Sequence, residues 1–185
     1  MALSLNTLGN CLYKQGDAES HAESVQSARE AAQLLTGLPQ AQRAVYLPDL
    51  AGVLTNLAAR LSEQRDARSR DEALKCRSDA TQIFRELARA QQKYLPDLAR
   101  SLNNLASMLF ESGDAKCQAE ALQYAREAFE HFAHLARQLP AAFEGPLMMA
   151  AGNLARIAAD AGLDAEEELK VALKASQQDP DSGSS

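Results

Sequence analysis

Asparagine is a poor residue for the interior of a helix, yet it recurs at one place in successive segments of this 185-residue chain, as Asn56, Asn104 and Asn153. Asn6, Asn10 and Asn103 occupy neighbouring positions of the same segments, and Arg100, Ser107 and Arg156 stand beside them. A carboxamide both donates and accepts, so a row of them can pair with the backbone of an extended peptide. A second reading stands next to this one. The amides could instead bond a neighbouring helix and set the packing between segments, because many side-chain hydrogen bonds serve the structure itself. Both roles can coexist.

Other reactive residues are sparse. His131 and His134 stand at i and i+3 with Glu127 and Glu130 adjacent, and on a helix that spacing shares a face and could hold a surface metal. The flanking residues are apolar and no third distant ligand is marked, so the reading is a packing helix without metal. His21 stands alone in a turn. Cys11, Cys76 and Cys117 are odd in number and lack CxxC spacing, which fits reduced thiols in a cytosolic protein. Cys11 has no histidine partner for nucleophilic work, and Cys76 and Cys117 read as small hydrophobes. Glu166, Glu167 and Glu168 form a helix N-terminus rather than a general-acid pair. No GxxxxGK, GxSxG, HExxH or GxGxxG pattern occurs. The expectation is a protein that is no enzyme and uses no cofactor.

The net charge of -6 argues against nucleic acid, which needs a concentrated basic face. The cluster Arg65, Arg68 and Arg70 is broken by Asp66 and Asp71. No apolar run approaches the ~20 residues that span a membrane, and the first residues lack a signal-peptide pattern. A cytoplasmic protein is expected.

The elements that carry these residues are repeats. Tyr94–Asp114, YLPDLARSLNNLASMLFESGD, has its front half 48 residues earlier as YLPDLAGVLTNLA from Tyr46. Its core recurs as SLNTLGNCLYKQGD from Ser4 and, worn, as AAGNLARIAADAG from Ala150. The composition favours helix, being rich in Ala, Leu, Glu, Gln and Arg and poor in β-branched residues. Apolar residues at helical spacing predict first helices over 3–16, from the segment 46–49 to about 64, over 95–112, and from the segment 143–147 to about 161. Paired second helices are predicted over 20–36, 69–91, 116–138 and 164–176, with 40–45 as a linker or frayed turn. Proline and aspartate in YLPD open a helix, and Gly16-Asp17 and Gly113-Asp114 close one. Ser24, Ala28 and Ala31 align with Ala73, Arg77 and Ala80, and with Ala121, Ala125 and Ala128; small residues at that spacing let two helices approach closely. The four units span about 3–39, 46–91, 94–139 and 143–176, one array over 3–176, with 177–185 a disordered tail.

Leu105-Ala106, Leu109, Gly113, Ala121, Ala125 and Ala128 resemble the tetratricopeptide repeat, and Asn103-Asn104-Leu105-Ala106 is similar to the version found in kinesin light chains. The repeat here, 48 or 49 residues, exceeds the family's usual ~34. The resemblance implies an all-α, right-handed α-α superhelix, a solenoid of four helical hairpins. Its first helices would line a concave groove that binds a peptide or protein segment, with Asn6, Asn10, Asn56, Arg100, Asn103, Asn104, Ser107, Asn153 and Arg156 as groove residues. Some members grip a C-terminal carboxylate through a clamp. Asn10 and Asn56 match its asparagines and Arg100 stands for a lysine, but Asn6 and Asn104 replace two basic groups, which weakens carboxylate capture. The chain starts inside a unit, which fits either a fragment or a short relative of a longer array, and self-association through the exposed N-terminal repeat face is a possible consequence. A structural or oligomerisation module, or a regulatory segment of a larger protein, is the alternative to the scaffold.

Overall fold

The computed structural model of the chain describes residues 1–64 and 66–177. All regular elements among these residues are helical. The first four helices are α1 (Ala2–Tyr13), α2 (Ala18–Thr36), the short α3 (Gln40–Val45) and α4 (Leu47–Ser62). The others are α5 (Ala67–Ala90), α6 (Leu95–Ser112), α7 (Ala115–Gln138), α8 (Pro140–Asp160) and α9 (Ala165–Ala175), with a 3-10 turn at Gln92–Tyr94 before α6. They form two compact units, Met1–Ala90 and Gln91–Ser185. Each unit holds two helical hairpins: α1/α2 and α4/α5 in the first, α6/α7 and α8/α9 in the second.

The hairpins close as the pattern of small and large apolar residues demands. Ala28, Ala31, Ala80, Ala121, Ala125 and Ala128 have no exposed surface, and Ser24 and Ala73 have almost none. Backbones can therefore approach, and the leucines of the first helices fill the remaining space. Leu57, Leu61, Leu102, Leu105 and Leu154 are buried. Within the first unit Leu50 and Val53 of α4 cluster with Ala31, Ala32 and Leu35 of α2, and Ile83 of α5 packs on them from outside. This junction between successive hairpins buries mostly hydrocarbon, which is the dominant stabilising term. Arg77 takes an alanine's place in the stripe. It is buried, its Nε and Nη1 have no hydrogen-bond partner among the described residues, and burial lowers its pKa.

The turns inside hairpins repeat one device. Asp17 accepts from the Ser20 amide at 2.9 Å while the Ser20 hydroxyl donates to Gln15 at 2.8 Å. Asp66, Ser69 and Gln64 repeat both bonds at 2.9 Å. Each aspartate caps a helix, and its carboxyl is held below the usual range by the Ser20 amide and hydroxyl in one case and the Ser69 hydroxyl and amide in the other. Asp164 caps α9 in the same way through the amides of Glu166 and Glu167. Gly16, Gly113 and Gly162 supply the left-handed turn residue, with φ of 79°, 74° and 73°, which a side chain would strain.

Three boundaries differ from expectation. The 40–45 linker is the helix α3. Helix α1 ends at Tyr13, because the chain leaves it through Lys14 before reaching the glycine turn. Helix α8 begins at Pro140 and continues through Pro146; proline at the first position loses no bond, whereas Pro146 removes a donor in mid-helix. In the two preceding hairpins the first helix begins at that stage of the repeat, with Pro48 and Pro96 near its start. The expected tail lies outside the described residues from 178 onward.

Candidate partner-binding face

In both units the two first helices are joined on one face by polar side chains. In the first unit Asn56 of α4 donates through Nδ2 to Asn6 Oδ1 of α1 at 3.2 Å. One turn further along, Arg60 reaches back under α1. Its Nη2 donates to Asn10 Oδ1 at 2.6 Å and its Nη1 to the Ser24 carbonyl at 2.9 Å. The guanidinium lies 5.8 Å from the Tyr13 ring centre. Only 2% of Arg60 is exposed, and this burial lowers its pKa. Gly9 makes room for it, since a Cβ there would sit 2.7 Å from Nη1. Beyond it, the Tyr13 hydroxyl donates to Glu63, which raises the tyrosine pKa, and His21 Nε2 lies 3.1 Å from the same carboxylate.

In the second unit Asn153 of α8 donates to Asn103 of α6, to Oδ1 at 3.1 Å and to the backbone carbonyl at 3.2 Å. Arg156 donates to Asn153 Oδ1 at 2.9 Å and stacks its guanidinium 4.4 Å from the Phe110 ring centre. Ser107 donates to the Asn103 carbonyl at 3.3 Å. Arg100 is exposed and pairs within its own helix with Asp97 at 3.6 Å. Asn104 is half-buried beside it, and Met149 of α8 is exposed.

The nine residues singled out from sequence therefore divide. Asn6, Asn10, Asn56, Asn103 and Asn153 tie first helix to first helix, as the packing reading of the asparagines requires. Arg156 and Ser107 buttress that tie. Arg100 and Asn104 have no bond to a neighbouring first helix among the described residues. Of the positions similar to the carboxylate clamp, Asn6, Asn10 and Asn56 already spend polar atoms on these ties. The sequence reading did not single out Arg60. Its signal was Gly9, a glycine inside a leucine-patterned helix where the later unit has Ala106.

The second helices carry ion pairs between the hairpins of each unit. Arg29 clasps Glu72 with two bonds at 2.8 and 2.9 Å, and Arg126 meets Glu168 at 2.6 Å. The Arg29 guanidinium holds the Glu72 carboxyl below its ordinary value. Burial pushes the Cys76 thiol up to about 11, leaving it protonated and inert at neutral pH. His131 lies 3.7 Å from Glu127 and His134 bonds Gln138 at 2.9 Å. Among the described residues no group of three or more His, Cys, Asp or Glu side chains could hold a metal ion, and no helix is long and apolar enough to cross a membrane.

No family model and no curated protein matches the chain. Solved structures do. The de novo designed helical repeat protein DHR64 superposes with a TM-score of 0.60 at 18% identity, over 95% of this chain and 91% of that one. The DHF79 filament superposes with a TM-score of 0.57 at 17% identity, over 94% and 96%. The likeness is one of fold: the chain is an all-helical repeat protein.

Proposed function

We propose that the chain is a non-enzymatic scaffold of the tetratricopeptide kind that binds a peptide or protein segment along its first helices, the face such arrays present as their concave groove. One observation carries the reading. On α6 and α8 the tie between the two helices is made by Asn103, Asn153 and Arg156, while Arg100, which pairs only within α6, Asn104 and Met149 of the same helices take no part in it. A cation, an amide and a flexible thioether suit a segment that combines an acidic group with apolar side chains. A helical-repeat fold is a surface for recognition, and the setting we assign is the cytoplasm.

The test is selection from a displayed short-peptide library against the purified chain, followed by Arg100→Glu. Acidic, apolar-anchored peptides should emerge, and the variant should bind them at least ~10-fold more weakly with its helical circular dichroism unchanged. An unaltered affinity would remove Arg100 and this face from the function.

A further inference from the structure

We infer that the open face of the first hairpin docks on the open face of the last hairpin of a second copy, so that chains associate head to tail. This goes beyond peptide binding along the first helices and uses different surfaces.

The equivalence of repeats locates both faces. Leu57, Leu105 and Leu154 occupy one repeat position and are at most 2% exposed. Leu8 holds that position in α1, yet 51% of it is exposed. Likewise Ile83 of α5 packs on the preceding hairpin, whereas its equivalent Leu34 of α2 is exposed. A cavity of about 390 Å³ opens here, with Met1, Leu5, Glu30 and Leu34 in its wall. The first hairpin thus presents the surface by which a later hairpin packs on an earlier one.

The last hairpin presents the reciprocal surface. Ala51 and Ala99 have no exposed area, but their equivalent Met148 of α8 is 67% exposed. Leu173 of α9 is exposed as well, and at Gly152 a Cβ would meet nothing within 4 Å. The charges have matching polarity. At both observed junctions the earlier hairpin supplies a base and the later one an acid, Arg29 to Glu72 and Arg126 to Glu168. Glu23, the repeat equivalent of Glu72, is an exposed acid on the first hairpin, and α9 carries the exposed base Lys174, one turn beyond Lys170, which already pairs with Glu166 at 2.7 Å. An interface of one face on a different face is heterologous and leaves a free face at each end.

Sedimentation equilibrium of the full chain tests this. Average mass should climb above the 20.0 kDa chain as concentration rises, without stopping at a dimer. Leu8→Glu and Met148→Glu should each stay monomeric, because each spoils one face. Mixed in equal amounts they should form a dimer and nothing larger, since each contributes its intact face. Glu23→Lys, an exposed change that leaves the hairpin core untouched, should weaken assembly ~2- to 5-fold. A wild-type chain that stays monomeric at every concentration overturns the proposal and leaves these faces to a further hairpin or a foreign protein. Dimerisation of Met148→Glu alone also overturns it, by showing first hairpin against first hairpin.

Discussion

The two units solve the same packing problem with different chemistry. Beneath the asparagine tie of the first, Arg60 is buried against Gly9 and bonded to Asn10 and the Ser24 carbonyl. Shifted by 97 residues, the same place in the second holds Ile157 against Ala106, both buried and wholly apolar. The second unit's arginine stands one residue earlier, at Arg156, and is exposed on Phe110. A guanidinium and a hydrocarbon fill one slot, but only the guanidinium requires its acceptors and a neighbour without a Cβ. Replacing a buried charge by apolar groups is often neutral or favourable, while removing one partner of such a set is costly. The first unit is therefore specified by a group of residues that must change together, the second by ordinary apolar packing.

The largest effect should come from truncating the two arginines. Arg60→Ala leaves a cavity in the buried slot and removes both hydrogen bonds of its guanidinium, a loss of ~2–3 kcal/mol. Arg156→Ala loses an exposed ring contact and one hydrogen bond, ~0.5–1 kcal/mol. Urea denaturation of both variants measures the difference, and equal losses would show that burial of Arg60 does not matter. Next is Gly9→Ala, which drives a Cβ into Nη1 and should cost ~1–3 kcal/mol. Gly9→Ala with Arg60→Ile copies the second unit and should return to within ~1 kcal/mol of the parent. The resulting coupling of ~1–2 kcal/mol in a double-mutant cycle is the direct measure of the difference; strict additivity would refute it. Smaller still is the tie itself. Asn153→Ala, at a buried site that also serves Arg156, should cost ~1–2 kcal/mol, and Asn56→Ala ~0.5–1 kcal/mol.

Repetition made most of the fold legible. Leu57, Leu105 and Leu154, and the alanine stripes, announce four hairpins because period and residue size are properties of the chain itself. The asparagines were visible for the same reason, but their duty was not. Whether an amide points at a ligand or at the next helix depends on which residue stands across the junction, and Asn6 and Asn103 lie 50 residues from their partners Asn56 and Asn153. Arg60 escaped notice because an arginine on a helix usually lies at the surface, where its charge is solvated. Only Gly9, in a different hairpin, reveals the space that lets it turn inward. The continuity of α8 through Pro146 was hidden because proline also starts helices, as Pro48 and Pro96 do.

The smallest expected difference lies on the second helices. Glu72 has its pKa lowered chiefly by the hydrogen bonds from Arg29, so the folded chain holds this carboxylate more strongly ionised than the unfolded chain does. Its contribution is fully present above the ordinary glutamate value of about 4.3 and is gone once pH has fallen through the lowered folded value, because between the two values only the unfolded chain binds the proton. The pair is about one-third exposed, so solvent screening limits the term to less than ~1 kcal/mol. Glu72→Gln should therefore flatten the acid limb of a stability–pH profile slightly and leave the neutral region almost unmoved. A large loss at pH 7 would mean that the clasp, rather than the apolar cluster of Leu50, Val53, Ala31 and Leu35, holds the two hairpins of the first unit together. The distinction between polar and apolar joining would then have to be drawn at the second helices of the first unit as well.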